Sequence, residues 1–80
     1  MEKYIVTFCS HFGATQFKNE YEGMGVNVTL MPVPRYLSSS CGTCAMVETD
    51  DFVMPEDREE IEQIVHLSNS KDGDWEVLYE

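Results

Sequence analysis

The sequence predicts an α+β domain with the element order β-α-β-β-α-β: one antiparallel sheet with two helices on a single face. Three observations carry this. Tyr4–Phe8 and Val26–Leu30 are rich in β-branched and aromatic residues. Apolar residues recur at helical spacing between those runs and again after Pro55. A last alternating run closes the chain.

Each element has its own grounds. Tyr4 to Phe8 (YIVTF) reads as the first strand. Ser10 is placed to cap a helix, because its hydroxyl can accept from an otherwise unsatisfied N–H of the first turn. Ala14, Phe17, Tyr21 and Met24 form that helix's apolar face, and Gly25 is its natural stop. Val26, Val28 and Leu30 alternate with Asn27 and Thr29 as a second strand, ended by Pro32 and Pro34. Ala45–Thr49 makes a third. Pro55 suits the first turn of a second helix, and Glu56, Asp57, Glu59 and Glu60 suit the positive end of its dipole. Ile61, Ile64 and Val65 would be its buried face. Asn69–Asp74 is a turn cluster, and Trp75, Val77 and Tyr79 form the last strand. This order is the ferredoxin-like, split β-α-β arrangement, here as a single domain over residues 1–80.

Composition narrows the function classes. A chain of 80 residues buries roughly 60–65% of its unfolded surface, so its core is small. Fifteen acids against five Lys and Arg give a net charge of −10, which argues against nucleic acid and against an anionic membrane surface. No apolar run reaches the ~20 residues that span a bilayer. The start, Met-Glu-Lys-Tyr-Ile-Val, lacks a signal-peptide pattern, so a cytoplasmic protein is expected. Three cysteines in a reducing compartment point to thiol chemistry, metal binding or core filling rather than a disulfide framework.

The topology brings distant residues together. A β-α-β crossover makes the first two strands parallel. Cys9, Ser10 and His11 then share one sheet edge with the loop that holds Cys41 and Cys44. That loop is unusual in charge. From Gly23 to Val47 there is no Asp or Glu, and Arg35 is the one base. A thiolate is favoured where like charge is absent and a cation and donors are near. Arg35 supplies the cation, Ser38, Ser39 and Ser40 the hydroxyls, and Gly42 room for close approach. Cys41 is therefore the candidate reactive thiol.

Cys44 completes a CxxC motif, as a resolving thiol or as half of a metal site. Cys9, His11, Cys41 and Cys44 would supply four zinc ligands if they converged, but no metal or other cofactor is expected. Cys9 reads as a core residue at the end of the first strand. His11 reads as a polar residue of the helix start, His66 as surface or half-buried, and Met24, Met31, Met46 and Met54 as packing.

The run "YIVTF", a Ser-containing helix start and "MPVPRYLSSSCG" together resemble the selenium/sulfur carrier-like proteins. The specific part is Pro32, Pro34, Arg35, Ser38, Ser40, Cys41 and Gly42, and the likeness runs from Tyr4 through the expected second helix. The resemblance implies a carrier rather than a stand-alone enzyme. Cys41 would hold sulfur or selenium as a persulfide or selenosulfide, with Arg35 beside the anionic adduct and donor and acceptor proteins as partners. The chain departs from the pattern after Cys-Gly. Thr43 and Cys44 stand where the family continues with aliphatic residues. Two further readings stand beside carriage. One is a module that binds an anion or small molecule through Arg35 and the serines, paired edge to edge as a homodimer. The other is a CxxC zinc or thiol-disulfide protein.

Overall fold

The computed structural model of the chain describes residues 2–34, 37, 41–55, 59–67 and 75–79. Among them are one helix and five strands: β1 (Glu2–Phe8), α1 (His11–Gly23), β2 (Asn27–Pro32), β3 (Thr43–Thr49), β4 (Ile61–Leu67) and β5 (Trp75–Tyr79). The strands form one sheet in the order β2-β3-β1-β4-β5, and every neighbouring pair is antiparallel. The two-helix, ferredoxin-like α+β expectation is therefore corrected to a five-stranded antiparallel sheet with one helix.

The correction lies in Ile61–Leu67. Ile61, Ile64 and Val65 have the spacing of a helix face, yet they form a strand. Ile64 and Val65 point to opposite faces of the sheet, and both faces are covered. A register shift between Thr7 and Phe8 pairs Thr7 with Gln63 but Phe8 with Ile61. The extra residue lets Ile61 and Ile64 face the same side despite their odd separation. Branched side chains at all three positions favour the strand once both faces can be filled. Of the expected helix start, Glu56 and Asp57 lie outside the described residues, and Glu59 and Glu60 form a turn. Phe52 from the β3–β4 connection packs on the helix side of the sheet, stacked on Tyr4 at 4.4 Å.

The first half folds as its pattern predicts. Ser10 caps α1, accepting from the Gly13 N–H at 3.1 Å. The helix ends in a Schellman turn, in which Val26 N–H donates to the Tyr21 carbonyl and Gly25 N–H to that of Glu22. Gly25 sits at φ +86°, where a Cβ would be strained. Ala14, Phe17 and Tyr21 are buried, whereas Met24, at the cap, is exposed. Pro32 extends β2 without disrupting the sheet because β2 is an edge strand. The β3 strand begins at Thr43, two residues before the expected start.

Two layers of core result. On the α1 side Val6, Phe8, Ala45, Val47, Val28 and Ile64 meet Ala14, Phe17 and Tyr21. On the other side Ile5, Cys44, Val65 and Leu37 form a smaller cluster, with Met31 and Met46 against it. The Tyr21 hydroxyl donates to the Val53 carbonyl, tying α1 to the β3–β4 connection. His66 is half-buried, bonded to Glu2 at 2.7 Å and stacked on Tyr4. Among the described residues, no helix is long and apolar enough to cross a membrane.

Candidate functional site

Strands β1 and β2 both run antiparallel to β3, which lies between them, so they are parallel to each other. Their C-terminal ends, the start of α1 and the start of β3 therefore meet at one sheet edge. Cys41 sits there, half-buried against the α1-side core. Its Sγ donates to the Phe8 carbonyl at 3.3 Å and lies 3.5 Å from the Thr43 carbonyl. Beside it Gly42 takes φ +75° in open space, so backbone conformation rather than crowding calls for glycine. Val33 N–H donates to the Gly42 carbonyl at 3.2 Å and continues the β2–β3 ladder to that point. His11 Nδ1 lies 3.2 Å from Thr43 Oγ1, which joins the first residue of α1 to the start of β3.

Cys9 is exposed, not in the core. Phe8 takes the last inward position of β1, and the next residue turns out into a bend. Its thiol donates to Glu60 Oε2 at 3.2 Å. That hydrogen bond, then desolvation and the nearby Glu60 charge, push the Cys9 thiol up. Ser10 Oγ donates to the same oxygen at 2.6 Å, and the two donors, Ser10 first, hold the Glu60 carboxyl below its usual range. Ser10 is thus committed to its cap and to Glu60.

Cys44 lies on the opposite face. Inside β3 it alternates with Thr43 and Ala45, so it points away from α1. It is 0% exposed, packed with Ile5, Leu37 and Val65, and donates weakly to the Pro32 carbonyl at 3.8 Å. Burial, with a smaller contribution from Cys41, pushes its thiol up to about 11. The CxxC pair is thus divided between the two faces of the sheet. Among the described residues no three His, Cys, Asp or Glu side chains gather to hold a metal ion. No disulfide joins these cysteines.

Arg35, Ser38, Ser39 and Ser40 lie outside the described residues. Leu37, between them, is buried against Cys44. Leu37 and Glu60 are the neighbours that the sequence did not reveal. Glu60 reaches Cys9 and Ser10 only because β4 pairs beside β1, and the 61–67 pattern read as a helix. A cleft of about 120 Å³ opens between α1 and Pro55, lined by Phe8, Phe17, Glu20 and Glu60. Cys41 does not line it.

Residues 3–71 match the family described as putative Se/S carrier protein-like. No curated protein and no solved structure matches the chain. The match spans most of the 80 residues and contains the whole edge from Cys9 to Cys44, so the chain belongs to the putative Se/S carrier protein-like family.

Proposed function

We propose that the protein carries sulfur or selenium as an adduct on Cys41. One observation supports this choice above the others: Cys41 stands half-buried at the edge where β1, α1 and β3 meet, whereas Cys44 is fully buried on the opposite face. Cys44 is buried with its thiol pushed up to about 11, and Cys9 is raised by the carboxylate it bonds. Cys41 is the remaining thiol, at the edge where β1, α1 and β3 meet.

In the transfer, the Cys41 thiolate attacks the terminal sulfur of a donor persulfide. The donor S–S bond breaks, a new S–S bond forms on Cys41, and the donor leaves as a thiolate. A donor selenosulfide transfers its terminal selenium in the same way. No external oxidant is needed, because the zero-valent chalcogen only changes its partner. An acceptor nucleophile then takes the terminal atom. Arg35, the one base in the sequence between Gly23 and Val47, is assigned to offset the anionic adduct, and Ser38, Ser39 and Ser40 immediately precede Cys41 in the sequence, with Gly42 after it. His11 and Ser10 brace the helix start beside it. Cys44 is a packing residue in this reading, and the partners are donor and acceptor proteins.

Incubation with a cysteine desulfurase and cysteine, followed by intact-mass analysis, tests the proposal. The expected result is a gain of one sulfur, lost in Cys41→Ser. An adduct of the same mass on Cys41→Ser would place the chemistry elsewhere.

A further inference from the structure

The CxxC spacing makes Cys44 the obvious second thiol for Cys41, but the sheet separates them. Cys44 is paired across the ladder with Thr7 on one side and Met31 on the other. Its side chain is packed on the face away from α1, whereas Cys41 packs on the α1 side. A Cys41–Cys44 bond would require Cys44, held in β3 by ladders on both sides, to leave the face on which it packs.

Cys9 is differently placed. Cys41 Sγ is 3.3 Å from the carbonyl oxygen of Phe8, the residue that precedes Cys9. A planar peptide holds that oxygen roughly 2.8 Å from the next Cα. Cys41 Sγ is therefore within about 6 Å of the Cys9 Cα. Both cysteines sit in bends just outside the strands, and Cys9 is exposed, with its thiol turned toward Glu59 and Glu60. A disulfide needs Cβ atoms about 3.8 Å apart, which a small shift of two bends can reach more readily than a strand interior can. Cys9 also has a proton acceptor at hand in Glu60 Oε2, at 3.2 Å. Glu60 is itself fixed by Ser10 and by the close approach of α1 at Gly13.

We propose that Cys9, not Cys44, is the catalytic thiol that discharges the adduct on Cys41; this rests on the carrier reading above. Glu60 takes the Cys9 proton, and the Cys9 sulfur attacks Cys41 Sγ. The Cys9–Cys41 S–S bond forms, the bond from Cys41 Sγ to the terminal sulfur of the anionic persulfide breaks, and that sulfur takes up the proton that Glu60 removed from Cys9 and leaves as hydrosulfide. The terminal sulfur gains two electrons, which come from oxidation of the two cysteine thiols to a disulfide. A dithiol reductant then restores both thiols.

The full chain is loaded with glutathione persulfide and freed of excess reagent. Sulfide is then measured without reductant, and disulfides are mapped by mass spectrometry of the unreduced digest. Wild type and Cys44→Ala are expected to release sulfide and to show a Cys9–Cys41 link. Cys9→Ser is expected to keep the extra sulfur on Cys41, and Glu60→Gln to release it several-fold more slowly. A Cys41–Cys44 link, or release from Cys9→Ser at the wild-type rate, overturns the proposal. Diamide oxidation of unloaded protein separates the two readings. A Cys9–Cys41 link is expected there whether or not a persulfide forms, and its absence overturns the pairing. Failure of wild type to load counts against carriage instead.

Discussion

Gly13→Ala is expected to destabilise the protein even though it removes a glycine from a helix. At this position of α1 a new Cβ would lie 2.5 Å from the Cβ of Glu60 and 3.1 Å from its Cγ. Carbon atoms rest about 3.5–4.0 Å apart, so something must move by roughly 1 Å. Rotation of the Glu60 side chain does not relieve the contact, because the nearest atom is its Cβ. The Glu60 backbone is held as well, its carbonyl accepting from Cys9 N–H at 2.9 Å. Overpacking of this kind costs about 1–3 kcal/mol. Replacing a helical glycine with alanine returns about 0.5–1 kcal/mol. The net is a loss of about 1–2 kcal/mol, and in a domain of this size each kcal/mol moves Tm by about 4–8 °C. Gly23→Ala is the matched control. It lies in the same helix, where a Cβ meets nothing within 4 Å, so that variant should be neutral or slightly more stable. Urea unfolding of both variants and wild type measures the difference. If Gly13→Ala is as stable as Gly23→Ala, the close seat of α1 on Glu60 is refuted, and with it the placement of Glu60 against Cys9.

Other expectations follow from the same geometry. Cys44 should be the last of the three cysteines to react with iodoacetamide under native conditions, read by peptide mapping, and equal reactivity in the folded state would contradict its burial. Its thiol ionises near 9.0 when unperturbed and is pushed up to about 11 in the fold, so the folded state holds the proton more tightly. Stability should therefore be unaffected by this group below about pH 9 and fall from there to about pH 11, by at most about 2–3 kcal/mol. Cys44→Val should lose that part of the slope in urea midpoints taken across the range. Gly42→Ala should cost about 1–2 kcal/mol from its positive φ alone, with Gly42→Asn milder; equal stability of wild type and Ala would contradict the φ of +75°. Ser10→Ala should cost about 1 kcal/mol as a lost cap. Ser10→Asp, ordinarily a good cap, should rescue little because its carboxylate would meet Glu60; full rescue in thermal unfolding would contradict the Ser10–Glu60 contact.

Much of the site was legible in the sequence because it depends on local signals and one chain rule. The Ser10 cap, the Gly25 stop and the alternation of Val26–Leu30 mark out β-α-β, and parallel β1 and β2 bring Cys9–His11 to the edge with Cys41. The contacts from Cys41 to Phe8 and from His11 to Thr43 are the outcome. Cys44 was half legible. Period-two alternation sets it opposite Ala45, but only once β3 is known to start at Thr43. The second half misleads for a physical reason. Ile61, Ile64 and Val65 satisfy a helix face and a bulged, two-sided strand equally well, and Pro55 with its following acids mimics a helix start. The choice is made by what covers each face, here Phe52 and α1-side residues on one and Leu37, Ile5 and Cys44 on the other. Those contacts are long-range, so no local pattern contains them. Glu60, which depends on β4 lying beside β1, was hidden for the same reason.

Persulfide mapping on the intact protein tests the central claim most directly. Wild type, Cys9→Ser, Cys44→Ala and Cys41→Ser are each exposed to a desulfurase and cysteine, and the modified residue is identified by mass spectrometry. Carriage on Cys41 predicts one added sulfur at that residue in wild type and Cys44→Ala, its accumulation in Cys9→Ser, and no adduct in Cys41→Ser. An adduct that maps to Cys9 or Cys44, or that persists in Cys41→Ser, contradicts it.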